Sequence, residues 1–160
     1  MTIAVGDKIP DVQVHVPGPN GPEPAQTGEL LGHGTVVLFG VPGAFTPTCS
    51  DYHLPGYVAR ADEIEAKGVD RIACVAVNDA FVMKAWGEAN QVGKRVTLIA
   101  DGSALFTKAM GLEVDLTGGG LGVRTKRYAA ILRDGVVTEL DVEDTLGLDV
   151  SAADKILAKL

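Results

Sequence analysis

The chain has 160 residues, 46% hydrophobic and 22% charged, with a formal net charge of -7 and two cysteines. That length fits one domain spanning 1–160 with a sizeable core, and the acidic balance argues against nucleic acid or an anionic membrane surface as partner. The apolar runs are too short to span a bilayer, and two thiols without a CxxC, beside three scattered histidines, do not make a zinc site of the usual kind.

In chain order, the opening "MTIAVGDKIPD" lacks a basic stretch followed by an apolar one. No signal peptide is expected, and the cytoplasm is the default compartment. In a reducing cytosol a cysteine pair is more often catalytic than a structural staple. Pro17 to Gly28, "PGPNGPEPAQTG", reads as turn and loop. Thr35 to Gly40, "TVVLFG", is a short β-branched apolar run, hence a buried strand. From Cys49 to Lys67 the pattern predicts a helix, kinked at Pro55 and stopped by Gly68. "RIACVAVN", Arg71 to Asn78, is a second buried strand that contains Cys74. Asp79 is placed to cap a helix in which Phe81, Val82, Ala85 and Trp86 recur at helical spacing. "RVTLIAD" is a third strand, and Ser103 opens a short helix ending near Gly111. Thr117 to Val123, "TGGGLGV", is a flexible loop. "RYAAILRDGVVTELDV" is a hairpin turning at Asp134–Gly135, and a last helix runs from Ser151 to Leu160. Strands alternating with helices, then a hairpin, indicate an α/β fold with a central mixed sheet flanked by helices.

Cys49 ends the string "GVPGAFTPTCS", between the first apolar strand and a helix start. Unpaired backbone N–H groups point outward there, and the helix dipole favours an anion such as a thiolate. Lowering a thiol from a pKa of about 8.5 to about 6 takes about 3.4 kcal/mol. A helix terminus supplies about 0.3–1 kcal/mol. A charged hydrogen bond adds roughly 1.5–3 kcal/mol. Thr46, one turn earlier, carries a hydroxyl toward Cys49, and the remaining cation must come from elsewhere in the chain.

Pro42, Thr46 and Cys49 match the PxxxTxxC pattern of the peroxiredoxins, and "PGAFTPTCSDYHLPGY" resembles their peroxiredoxin 5 (type II) subfamily. The similarity continues through "CVAVNDAFVMKAW", "ADGSALFTKAMGLEVDL" and "GLGVRTKRYAAILRDGVV". The resemblance implies a thioredoxin-like fold with an N-terminal extension. It also implies reduction of hydrogen peroxide, alkyl hydroperoxides and peroxynitrite through a sulfenic acid on Cys49, with no metal and no organic cofactor. It further implies a homodimer. By the same resemblance Arg127, in "TKRYA", faces the thiolate, with Arg124 the lesser candidate. The Thr48 and Cys49 amides, the Thr46 hydroxyl and the Arg127 guanidinium are then expected to bond the peroxide oxygens, with Pro42 as a lid over the thiol and Phe45 at the substrate mouth. Some type II members have glycine where Thr48 stands.

Cys74 matches a cysteine often found in type II members and is the candidate resolving thiol. A disulfide needs Cα atoms roughly 4.4–6.8 Å apart, which a helix-start thiol and a mid-strand thiol do not reach without local unfolding. An external thiol (glutathione, glutaredoxin or thioredoxin) is therefore the expected reductant, with a Cys49–Cys74 bridge second. Plainer readings stand beside these. Cys74 is a small core residue, Thr46 a cap, Pro42 a strand end, and Arg127 a solvated charge. His53, four residues after Cys49, is expected to point away from the mouth and to be structural, against a Cys–His hydrolase. Phe81 and Trp86 are expected in the core or at a subunit contact. A dithiol oxidoreductase needs a cysteine three residues from Cys49, where Thr46 and Tyr52 stand. A non-enzymatic binding protein of the same fold is the other alternative.

Overall fold

Strand β3 (Thr35–Gly40) organises the molecule. Its residues alternate between two apolar clusters: Val37 and Phe39 face one, Val36 and Leu38 the other. Strand β4 (Arg71–Ala76) does the same, with Ile72, Cys74 and Ala76 on the first side and Ala73 and Val75 on the second. A strand buried on both faces has no use for polar alternation, which is why both runs read as continuously apolar. The computed structural model describes residues 2–160. It shows a seven-stranded mixed sheet in the order β2-β1-β5-β4-β3-β8-β9. The other members are β1 (Gln13–Gly18), β2 (Gly21–Gln26), β5 (Thr97–Ala100), β8 (Tyr128–Arg133) and β9 (Val136–Val142). Strands β3, β4 and β5 are mutually parallel; the remaining pairings are antiparallel. No helix is long and apolar enough to cross a membrane among the described residues.

Helices cover both faces. Helices α2 (Leu54–Ala59), α3 (Ala61–Ala66), α4 (Ala80–Ala89) and α6 (Ala153–Leu157) contribute to the cluster around Phe39. Helices α1 (Thr27–Leu31) and α5 (Leu105–Met110) contribute to the cluster around Leu38. A small second sheet pairs β6 (Glu113–Asp115) with β7 (Val123–Thr125). This is the thioredoxin-like α/β arrangement expected from the sequence. The β8–β9 hairpin turns at Asp134 and Gly135, whose φ values of 49° and 82° give the left-handed pair that suits a tight hairpin.

Several expected elements differ. The stretch expected as loop from Pro17 to Gly28 folds as a hairpin, with Gly18 paired to Gly21 and Pro24 to His15. A two-residue turn makes Gly18–Gly21 a hydrogen-bonded pair, so the pairs at Pro22 and Pro24 are of the non-bonded kind. Their nitrogens point away from β1, off the outer edge of the sheet, where a missing N–H costs nothing. The helix expected from Cys49 to Lys67 is three pieces: a π-helical turn over Cys49–His53, then α2 and α3, broken at Arg60. Pro55 lies in the first turn of α2, a position where its missing N–H is tolerated, and not at a mid-helix kink. In α4 the period is right but the phase is not. Ala80, Met83, Trp86 and Gly87 are buried, Ala85 is exposed, and Phe81 is 68% exposed. Helix α5 is capped by Asp101 rather than by Ser103: the Asp101 carboxylate accepts from the Phe106 and Thr107 N–H groups at 3.1 and 2.8 Å. The loop expected at 117–123 holds a 3-10 turn at Thr117–Gly119 and the start of β7. The last helix is shorter than expected, at Ala153–Leu157.

Candidate active site

The topology explains how residues far apart in the chain meet. Gly40 at the end of β3 pairs with Tyr128 at the start of β8, so Arg127 sits at the end of the sheet where the Pro42–Cys49 loop leaves. Val75 near the end of β4 also pairs with Gly40, which brings Asn78 to the same place. Asn78 Oδ1 accepts from the Ala44 N–H at 2.9 Å, pinning the loop. Asp79 caps α4 as expected, its Oδ1 accepting from the Val82 N–H at 2.8 Å.

Cys49 is fully buried, and its Sγ accepts from Arg127 Nη2 at 3.1 Å. Arg127 is itself 3% exposed. Its other donors are fixed as well: Nε to the Leu146 carbonyl at 3.0 Å, and Nη1 to His53 Nδ1 at 2.9 Å. The Leu146 carbonyl and the His53 ring nitrogen fix where the cation points. Arg127 therefore stands where the sequence resemblance set it.

His53 does not point away from the site. Four residues on lies nearly on the same side of a helical turn, and the π-helical turn, closed by i→i+5 bonds, keeps it there. Its ring lies against Phe39 and Tyr57, with centroids 4.9 and 5.6 Å away. Burial pushes its pKa down to about 3, and the Arg127 charge adds to that. The ring is therefore neutral near pH 7. Because Arg127 Nη1 only donates, Nδ1 is the acceptor and Nε2 carries the proton, donated to the Ser151 carbonyl at 3.1 Å. A ring so occupied cannot take a proton from Cys49, which removes the basis for a Cys–His hydrolase.

Behind His53 lies a clasp that the sequence did not announce. The Ser151 carbonyl also accepts from the Tyr57 hydroxyl at 2.8 Å. Glu143 accepts from the Asp149, Val150 and Ser151 N–H groups and from Ser151 Oγ, at 2.6–3.3 Å. Burial alone would raise the Glu143 carboxyl, but these four donors outweigh it and hold the pKa below the usual range. The Glu143 N–H in turn donates to the Arg127 carbonyl at 2.9 Å. The 143–151 segment thus supplies the carbonyls that orient both Arg127 and His53.

Thr46 departs from expectation in direction. Its hydroxyl donates to the Gly43 carbonyl at 2.6 Å, so what it offers the site is an acceptor lone pair. Arg124 is not beside Sγ. It reaches the loop instead, Nη1 donating to the Pro42 carbonyl at 3.2 Å and Nε to the Leu121 carbonyl at 2.8 Å. A Cβ on Gly43 would fall 2.7 Å from Arg124 Nη1, so only glycine leaves room for that contact. Phe45 is 56% exposed with φ at 62°, an uncommon value for a residue with a Cβ. Thr48 precedes the π-helical turn, and the Ser50 N–H bonds four residues back to the Thr46 carbonyl at 2.9 Å. Ser50 Oγ accepts from Trp86 Nε1 at 2.9 Å, tying this turn to α4.

Cys74 is fully buried in the same cluster as Cys49, and both thiols are free. Burial pushes the Cys74 thiol up, the nearby Cys49 adds to this, and Arg127 opposes it. It is therefore held as the thiol, a weak nucleophile.

A thioredoxin-like sheet that presents a buried cysteine to a buried arginine defines a class, the redox proteins that work through one reactive thiol. Residues 4–157 match the redoxin family. Peroxiredoxin-2B of Arabidopsis thaliana is 48% identical over 99% of this chain and 98% of its own. The crystal structure of reduced Prx3 in complex with hydrogen peroxide, from Vibrio vulnificus, superposes with a TM-score of 0.94 at 51% identity, covering 99% of both chains. Peroxiredoxin 5 from Alvinella pompejana gives 0.86 at 32% identity, covering 98% of this chain and 96% of that one. The chain belongs to the redoxin family, among the type II peroxiredoxins, and is a thiol peroxidase.

Proposed function

We propose that Cys49 is the peroxidatic nucleophile and that the site reduces hydrogen peroxide and alkyl hydroperoxides, with peroxynitrite as a further substrate. The observation that carries this is the 3.1 Å approach of Arg127 Nη2 to Cys49 Sγ, both side chains buried. A sulfur lone pair attacks the nearer peroxide oxygen, the O–O bond breaks, and the departing oxygen takes a proton. The products are Cys49–SOH and water or an alcohol. The thiolate's charge alone does not make this fast, because nucleophilicity falls as basicity falls. The rest comes from groups that bind the transition state more tightly than the substrate. Thr46 Oγ1 accepts the peroxide O–H. The remaining Arg127 N–H groups and the Thr48 and Cys49 amides donate to the peroxide oxygens as charge builds on the departing one. Pro42, with no N–H of its own, covers the sulfur.

The reductant is an external thiol: glutathione, glutaredoxin or thioredoxin. One fact favours this over Cys74: its thiol is buried and held protonated. A sulfur with no exposed surface must leave its pocket before a second thiol can reach it, which asks the Cys49–His53 turn to open. Phe45, Tyr52 and Phe81 are large apolar side chains left exposed, which supports a homodimer, since subunit contacts cover such side chains. A reducing cytoplasm would keep both thiols free.

Intact-mass spectrometry after one equivalent of peroxide tests the chemistry. A gain of one oxygen on Cys49, replaced by a glutathione adduct when glutathione is present, is expected. An internal Cys49–Cys74 bridge in both samples would move the second step to Cys74.

A further inference from the structure

The loop that carries Pro42 and Thr46 is held by a second guanidinium that the reaction as described does not use. Arg124 reaches the Pro42 carbonyl across 82 residues of sequence, and its Nη1 occupies the space beside Gly43, whose carbonyl takes the Thr46 proton. It is half-buried. Among the described residues it pairs with no carboxylate. The register explains why. Arg124 lies opposite Val114, while the acids of β6, Glu113 and Asp115, lie opposite Thr125 and Val123. In a β-ladder those acids point to the other face. Two carbonyls use the Nε–H and one Nη1–H, which leaves three N–H donors and a positive charge beside the Pro42–Gly43 stretch.

A guanidinium with no carboxylate partner, set against the loop that carries Thr46 on a chain whose net charge is -7, suits an anionic ligand. We propose that Arg124 is a specificity-determining residue that selects hydroperoxides bearing a negatively charged group, a carboxylate above all. The inference rests on the peroxidase reading above. Arg127 bonds the reacting oxygens, and Arg124 takes the charged group of the same molecule. Nothing in the redox step changes: sulfur gains oxygen, the O–O bond breaks and the alcohol leaves, now still carrying its carboxylate.

The test uses a short tertiary alkyl hydroperoxide carrying a carboxylate and the methyl ester of the same compound. The ratio of their kcat/KM values is measured with the full chain and a thiol reductant. In the wild type the acid is favoured over the ester at low salt, and the preference fades as ionic strength rises. In Arg124→Gln the acid-to-ester ratio falls roughly fivefold, the weight of one half-exposed ion pair, whatever happens to the ester rate through the Pro42 contact. Arg124→Lys keeps most of the ratio. An equal loss on acid and ester in Arg124→Gln, or a wild-type ratio that salt does not move, would overturn the proposal. The salt series needs no variant, so poor folding of Arg124→Gln cannot hide the answer. Hydrogen peroxide consumption by the wild type reports separately on the peroxidase reading.

Discussion

Thr46 has one hydroxyl proton, and Gly43 holds it. The side chain therefore works as an acceptor, and its effect should fall on the peroxide rather than on the sulfur. Thr46→Val keeps the shape and removes the lone pairs. Its peroxide rate constant should fall by about 100-fold or more, the usual weight of a positioned proton-handling group, while alkylation of Cys49 by iodoacetamide changes only a few-fold. Stopped-flow traces that match the wild type would end this account of Thr46. At this scale the sequence showed Pro42, Thr46 and Cys49 because they lie within eight residues and form a pattern. Arg127 was reachable only through resemblance. Arg124 was named only as the lesser candidate to face the thiolate, and its hold on the Pro42 carbonyl 82 residues away had no signal. Asn78 and Glu143 carried none either, since their partners are main-chain groups: that of Asn78 lies 34 residues away, and those of Glu143 follow it without a recognisable motif.

At the scale of elements, the 143–151 segment is the least regular part of the site and orients two of its buried side chains, Arg127 and His53. Replacing Glu143 with alanine leaves three backbone N–H groups without their acceptor, a loss of about 1–3 kcal/mol. The expected outcome is a lower melting temperature together with a lower peroxide rate measured well below it. A melting temperature that falls with no change in rate would make the clasp a matter of stability only. The element boundaries that sequence reading missed have physical reasons. Prolines spoke for loop because the reading could not know that β2 lies at a sheet edge. The single expected helix breaks at Arg60, where φ is -104° and ψ 10° and no proline or glycine warns of it. The phase of α4 was lost because Phe81 is apolar and yet faces outward. The buried strands were legible, since nothing but a two-faced core asks for runs as apolar as "TVVLFG" and "RIACVA".

For the whole molecule, buried neutral His53 sets a limit on acid tolerance. Its folded pKa of about 3 lies below the ordinary imidazole value of 6.5, so between those values the unfolded chain binds the proton more readily. The stabilisation is fully present above about pH 6.5 and drains away as pH falls toward 3. Glu143 acts in the same sense lower down: its depressed pKa contributes stability above the ordinary carboxyl value of 4.5 that is lost on further acidification. Unfolding free energy should therefore drop between pH 6.5 and 4.5, by roughly 2 kcal/mol from the histidine alone, and the urea midpoint should fall with it. His53→Gln, which can still accept from Arg127 and donate to Ser151, should flatten that limb. A wild-type midpoint that holds steady across the interval would contradict a neutral buried imidazole.

Pro22 and Pro24 face outward from the last strand on one side of the sheet. An open sheet edge is a template, and a passing strand from another molecule needs N–H donors along it to take hold. Here two successive donor positions are blank. The same substitutions that disguised β2 as a loop deny a neighbouring chain its first purchase, so crowded copies of this protein meet along that flank without zipping together.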